Sequence, residues 1–216
     1  MFENRAHGIR GGFFVKCPLT RKHFIQNAAQ TEYIGAMVDG LGAHLLGRHV
    51  GDRADHGAGV GWTDNTADTG LVVNGDNVTA YGLFVEHYQK YEVIWNGNGG
   101  TDIFLQNEMP YDPPGQAAWM EAPGVDGWAA FKLANAVTSF SGYGMGSYSF
   151  FNQGINIYAA NAFEVPGTLP AESLHDLLTI FLSTAGSGGI LNVINNTGGS
   201  STIANPDTPV TVVSFP

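Results

Sequence analysis

Gly70–Glu108 reads GLVVNGDNVTAYGLFVEHYQKYEVIWNGNGGTDIFLQNE, and the way it aligns with itself decides the fold. LVVNG at Leu71–Gly75 returns as VIWNG at Val93–Gly97, 22 residues later, and GLFVEH at Gly82–His87 returns as DIFLQN at Asp102–Asn107, 20 residues later. A period of that length, filled by short strands with Asn and Gly at the turns and no helical crossover, is the size of one coil in a repeat architecture. It predicts a parallel β-helix, each coil stacked on the last at ~4.8 Å. A β-sandwich is the competing reading of the same short strands. The pattern continues through SYSFFNQ (Ser147–Gln153), INIYAANAFEV (Ile155–Val165), LLTIFLS (Leu177–Ser183) and ILNVINN (Ile190–Asn196), and the tail TPVTVVSFP reads as a final strand.

Composition agrees with an all-β chain. Of 216 residues, 44% are hydrophobic and 12% aromatic, enough for a real core, while thirty glycines, ten prolines and 13% charged residues call for many tight turns. No apolar run reaches the ~18 residues of a membrane span, so a membrane partner is not expected. A net charge of −10 argues against nucleic acid, which needs clustered Lys and Arg, and suits a neutral partner such as a sugar chain. The single cysteine, Cys17, leaves no internal disulfide and no cysteine-based zinc site. MFENRAHGIRGGFF has charged and polar residues where a signal peptide needs a continuous apolar segment.

Charge divides the chain near residue 53. Residues 1–53 carry seven of the nine basic residues against four acids, and the rest carries two against fifteen. The first part also holds a weakly periodic stretch, Phe24–Leu46, that reads as a short helix. Residues 1–52 are therefore expected to be an atypical N-terminal segment, either a cap or a stretch foreign to the fold such as a misassigned gene start would give, with the β-helix domain spanning 53–216.

The repeat carries polar residues with it. An offset of 22 places Glu86 on Glu108 and an offset of 20 places it on Gln106, so these side chains can form one polar column beside His87 and Tyr111. Two neighbouring carboxylates repel when both are ionised, which raises the pKa of one and makes it a candidate general acid. Glycoside hydrolysis needs that acid and a second group to manage water. Trp62, Tyr88, Tyr91, Trp95 and Trp119 can offer stacking faces to a sugar. A structural ladder of Glu and Asn explains the same column without catalysis.

Other motifs are weaker. DNTADTG (Asp64–Gly70) lacks the terminal Glu of a calcium loop and reads as a turn. His56 beside Asp55 is a polar pair that fits a site mouth or a plain surface. The seven histidines show no metal-ligand spacing, and neither a metal nor a cofactor is expected. GYGMGSY (Gly142–Tyr148) lacks the ending of a phosphate loop and reads as a strand turn.

RADHGAGVGW (Arg53–Trp62), the Gly70–Tyr91 stretch, WNGNGG (Trp95–Gly100) and QNEMPYDPP (Gln106–Pro114) together resemble the C-terminal half of bacterial glycoside hydrolase family 55, secreted exo-acting β-1,3-glucanases. The resemblance implies a right-handed parallel β-helix of the pectin-lyase-like kind, one stack of coils, an extracellular setting and a β-1,3-glucan of the laminarin type as partner. It also implies an inverting reaction: Glu108 and Tyr111 match the family's E-x-x-Y motif of general acid and water-holding tyrosine, and Glu86 matches a carboxylate that strengthens the water's basicity. Asp55 matches a residue that contacts the sugar, with His56, Trp62, His87 and Trp95 around it. The family's N-terminal β-helix supplies a glutamine and a serine to place the water. No counterpart is recognisable here, and LLGRHVGD stands where the family has sugar-stacking tryptophans. The chain alone is thus expected to be weak or inactive, with such an N-terminal β-helix as a partner, or else a non-catalytic glucan-binding or structural module.

Overall fold

The computed structural model describes residues 34–38, 44–53, 61–64 and 66–216. In chain order the strands are β1 (Ile34–Val38), β2 (His44–Asp52), β3 (Thr69–Val73), β4 (Thr79–Glu86), β5 (Val93–Trp95), β6 (Gly100–Glu108), β7 (Met120–Ala122), β8 (Val125–Asp126), β9 (Phe131–Leu133), β10 (Phe140–Ser149), β11 (Ile157–Ala159), β12 (Phe163–Glu164), β13 (Leu174–Phe181), β14 (Gly188–Ile190), β15 (Ser201–Thr202) and β16 (Val210–Phe215). One 3₁₀ turn, Gln116–Ala118, joins them, and no α-helix occurs among the described residues.

The chain alternates between two sheets. One runs β1-β3-β5-β9-β12, the other β16-β13-β10-β6-β4-β2, so each circuit deposits one strand on each sheet. Pairing along both is parallel until β16, which closes the second sheet antiparallel to β13. β7 and β8 form a hairpin in the long loop between β6 and β9, and β11, β14 and β15 a small third sheet. The all-β expectation holds, and the parallel pairing excludes the sandwich reading, whose strands would be antiparallel.

Register gives like residues to like positions. Leu71, Val93, Phe131 and Phe163 are successive partners on the first sheet, and each is at most 1% exposed. On the second sheet inward residues follow a spacing of three and then two: Ala80, Leu83 and Val85 on β4, Asp102, Leu105 and Asn107 on β6, Gly142, Met145 and Ser147 on β10, and Leu174, Leu177 and Thr179 on β13. The extra residue in that spacing has a conformational cause. Gly82, Phe104, Gly144 and Asp176 occupy equivalent positions and all have positive φ, from 55° to 69°. A left-handed residue bends the strand and resets its alternation, so the side chains on both limbs of the bend point inward.

This column shows why the 20-residue alignment of GLFVEH with DIFLQN is replaced by one of 22. Gly82 must fall on Phe104, and so Phe84 pairs with Gln106 and Glu86 with Glu108. A slip of two would keep every side chain on its face but would put the left-handed residues out of line.

Three further expectations change. Within Phe24–Leu46, Ile34–Val38 and His44–Leu46 are strand, because pairing with β3 and β4 overrides a weak helical periodicity. The sheets also run past the boundary drawn at residue 53, since β2 stays paired with β4 as far as Asp52 opposite Glu86. GYGMGSY is the bend inside β10 rather than a turn between strands.

Asp102 interrupts the core. It is fully buried between Ala80 and Gly142 on the adjoining strands, and neither carboxylate oxygen has a hydrogen-bond partner among the described residues. Burial pushes its pKa from the ordinary 3.8 up to about 7. The folded state therefore holds the proton more tightly than the unfolded chain, and stability falls as pH rises from about 4 to 7, by roughly 4 kcal/mol at the upper end. Thermal unfolding of Asp102→Asn beside the parent should show this part of the pH slope disappearing. An unchanged slope would show that Asp102 is ionised in the fold.

Candidate functional site

The site lies where the second limbs of β4 and β6 end. Glu86 and Glu108 are direct partners there, facing outward on neighbouring strands about 4.8 Å apart, with Tyr148 of β10 next in line. Beyond Glu108 the strand cannot continue, because Pro110, Pro113 and Pro114 have no N–H to give a ladder. The chain turns into Met109–Pro114, held by Met109 N–H to the Tyr148 carbonyl at 2.9 Å and by Asn152 N–H to the Tyr111 carbonyl at 2.9 Å.

That turn folds Tyr111 back onto the end of its own strand. Its hydroxyl donates to Glu108 Oε2, and its ring meets Phe150 edge-on at 5.2 Å and His87 at 4.4 Å. His87, left-handed at φ 63° directly after β4, donates its backbone N–H to the Glu108 carbonyl at 2.7 Å, and its Nε2 lies 3.5 Å from Glu108 Oε2. The His87 side chain is 1% exposed and that of Glu108 20%, so the imidazole backs the acid from inside while the carboxyl opens outward. Chemically this is a carboxyl group fixed by a phenol, walled by aromatic rings, and flanked by a second carboxylate one strand away.

Glu86, His87, Glu108 and Tyr111 are thus brought together as expected. Gln106 is not in line with the two glutamates but sits two residues back, opposite Phe84 and Gly146. Asp55 and His56 lie outside the described residues. Trp62 is half-buried at the margin, with the Arg53 guanidinium 5.6 Å from its ring centroid.

Trp95 is a correction. It is 0% exposed, packed against Phe140 at 5.1 Å and Phe131 at 6.4 Å, with Gly100 pressed against its indole nitrogen where no Cβ would fit. A ring buried inside the sheets offers no face to a sugar. Trp119 and Tyr88 are likewise core residues, and Tyr91 is taken up by Glu121, to which its hydroxyl donates at 2.7 Å. In DNTADTG, Asp68 pairs with Lys90 at 3.2 Å.

Sequence reasoning missed Arg53 and Asp112. The Arg53 side chain, 1% exposed, donates to the His87 carbonyl and to Asp112 Oδ1. The available signal was an arginine at the edge of an acid-rich region and an aspartate next to the motif tyrosine; only the fold, which sets the end of β2 beside the Met109–Pro114 turn, pairs them.

Residues 35–108 match the LAM55 pectate lyase-like domain. Over 164 residues the chain is 48% identical to an exo-β-1,3-glucanase of Streptomyces sp. (strain SirexAA-E / ActE), an alignment that takes in 76% of this chain and 26% of that protein. Among solved structures, sacteLam55A from Streptomyces sp. SirexAA-E superposes with a TM-score of 0.77 at 42% identity, over 85% of this chain and 32% of that one. A variant of the same protein in complex with glucose gives 0.67 at 36% identity, over 88% and 38%. The chain therefore resembles part of a bacterial family 55 glycoside hydrolase and spans about a quarter to a third of the relatives it matches.

Trp95→Ala should lower the free energy of unfolding by about 3–5 kcal/mol in denaturant, as expected for removing a buried tryptophan. A loss under about 1 kcal/mol would put the indole at the surface.

Proposed function

We propose that this chain is a single stack of right-handed parallel β-helix that supplies the acid half of an inverting exo-β-1,3-glucanase site, acting outside the cell on laminarin-type glucans. The observation that carries the reading is the Tyr111 hydroxyl on Glu108, with Glu86 on the adjoining strand, in a chain 48% identical to an exo-β-1,3-glucanase. The glucose complex of a related structure supports a glucosyl ligand.

Glu108 delivers its proton to the departing glycosidic oxygen, while water attacks the anomeric carbon from the opposite face. The water's proton passes to Glu86 by way of the Tyr111 phenol, because a carboxylate one strand from Glu108 stands too near the acid to reach the opposite face of the sugar directly. His87 keeps the carboxyl turned outward from its buried position. A neutral glucan meets no electrostatic penalty at a chain of net charge −10, whereas an anionic uronic-acid chain would be repelled. The groups that fix the water are proposed to come from an N-terminal β-helix of the family type, for which the chain's partial span of its relatives leaves room.

The test is release of glucose from laminarin, followed by proton NMR of the first anomer formed. The expected product is α-glucose, with Glu108→Gln lowering the rate by about 10²–10⁴ and leaving laminarin binding within a few-fold, as loss of a general acid predicts. Tyr111→Phe should lower turnover about 10–100-fold through misplaced water, with little change in KM. Hydrolysis that survives Glu108→Gln would overturn the assignment. Laminarin retention without hydrolysis by the parent would instead favour a non-catalytic binding module.

A further inference from the structure

The Met109–Pro114 turn poses a mechanical problem. It must hold Tyr111 within hydrogen-bonding distance of Glu108, yet three of its six residues are prolines with no N–H to give, and the backbone bonds of Met109 and Tyr111 leave Asp112 to be fixed by its side chain. Arg53 supplies that side-chain tie. From the end of β2 its backbone N–H donates to the Glu86 carbonyl at 3.2 Å, its Nε to the His87 carbonyl and its Nη2 to Asp112 Oδ1. One residue therefore joins, through its backbone, the end of the strand that carries Glu86 and, through its guanidinium, the residue that backs Glu108 and the residue next to Tyr111.

We infer that Arg53 and Asp112 form a clamp that positions the Glu108–Tyr111 pair for the reaction, an inference that rests on the hydrolase reading above. Both groups are largely out of solvent, with side chains 1% and 14% exposed. Asp112 Oδ2 is buried without a hydrogen-bond partner among the described residues. A buried ion pair with a carboxylate oxygen left over is a poor stabilising device, since apolar residues of similar volume often serve stability as well or better. What the pair provides is geometry. The planar fork of Arg sends separate N–H groups to a carbonyl and a carboxylate at fixed angles, which a lysine ammonium on its flexible stem cannot reproduce. Trp62, 5.6 Å from the guanidinium carbon, covers the clamp on one side.

The experiment uses the full chain with all eight tyrosines replaced by 3-fluorotyrosine, the Tyr111 signal being assigned by its loss in Tyr111→Phe. Arg53→Met leaves Asp112 buried and unpaired and invites misfolding, so the main variant is Arg53→Met with Asp112→Leu, which removes both charges. Its fluorine signal at Tyr111 should move in the direction seen in Glu108→Gln, unfolding should stay cooperative, and kcat on laminarin should fall about 30–100-fold with KM changed less than about threefold, the range expected for displacement of about 1 Å. Arg53→Lys should fall between the parent and the double variant. A folded double variant with an unmoved Tyr111 signal and unaltered kcat would overturn the clamp. A parent that releases no glucose would show that the chain alone does not hydrolyse laminarin, while the fluorine signal would still decide whether Arg53 and Asp112 hold Tyr111 beside Glu108.

Discussion

Everything in this protein hangs on a column of left-handed residues. Gly82, Phe104, Gly144 and Asp176 stack at the bend of the second sheet, and each circuit must bring one of them to the same place. For a glycine that conformation carries no steric cost; for Phe104 and Asp176 it does, and the packed strands on either side sustain it. The column locks register along the strands, and register in turn decides which side chains share the core and which share the surface.

Once register is locked, the site follows with few further devices. Glu86 and Glu108 are neighbours because the bend lies four residues before each of them. Tyr111 reaches Glu108 because prolines end the strand and turn the chain back. The inner side of the same limb holds a quieter polar pair, Ser147 Oγ donating to Asn107 Oδ1 at 2.9 Å, with Asn107 Nδ2 bonded to the Gly146 carbonyl at 2.9 Å. The contrast is instructive. Asn107 satisfies its buried polar atoms within the stack, whereas Asp102, five residues earlier on the same strand, remains a carboxyl without a donor among the described residues and, below about pH 7, avoids the cost of burying a charge by keeping its proton.

The acidic residues are likewise put to separate uses. On the outer face of the first sheet Glu121 and Glu164 converge on Lys132, with Glu121 also accepting from Tyr91, a self-contained network that raises the lysine's affinity for its proton despite partial burial. Around Glu108 the neighbours are an imidazole, a phenol and an outward opening. The carboxylates of one protein thus differ in what is set against them: a lysine at Glu121 and Glu164, a phenol and an imidazole at Glu108.

The sequence by itself determined the all-β class, the strands at 71–73, 93–95, 177–181 and in the tail, the pairing of Glu108 with Tyr111 and the nearness of Glu86 and His87. These are local facts, set by proline, by alternation and by a repeat close in length to one circuit. The family resemblance was legible for the same reason, since its motifs lie in continuous stretches. Three things only the tertiary structure decided. The choice between offsets of 20 and 22 depended on φ at Gly82 and Phe104, and Phe104 gives no sign in the sequence that it is left-handed. The burial of Trp95 depended on which face of β5 turns inward, which a three-residue strand is too short to reveal. The contact of Arg53 with Asp112 joins residues 59 apart, and a pairing across that distance exists only after the parallel strands have brought the end of β2 beside the turn that follows β6.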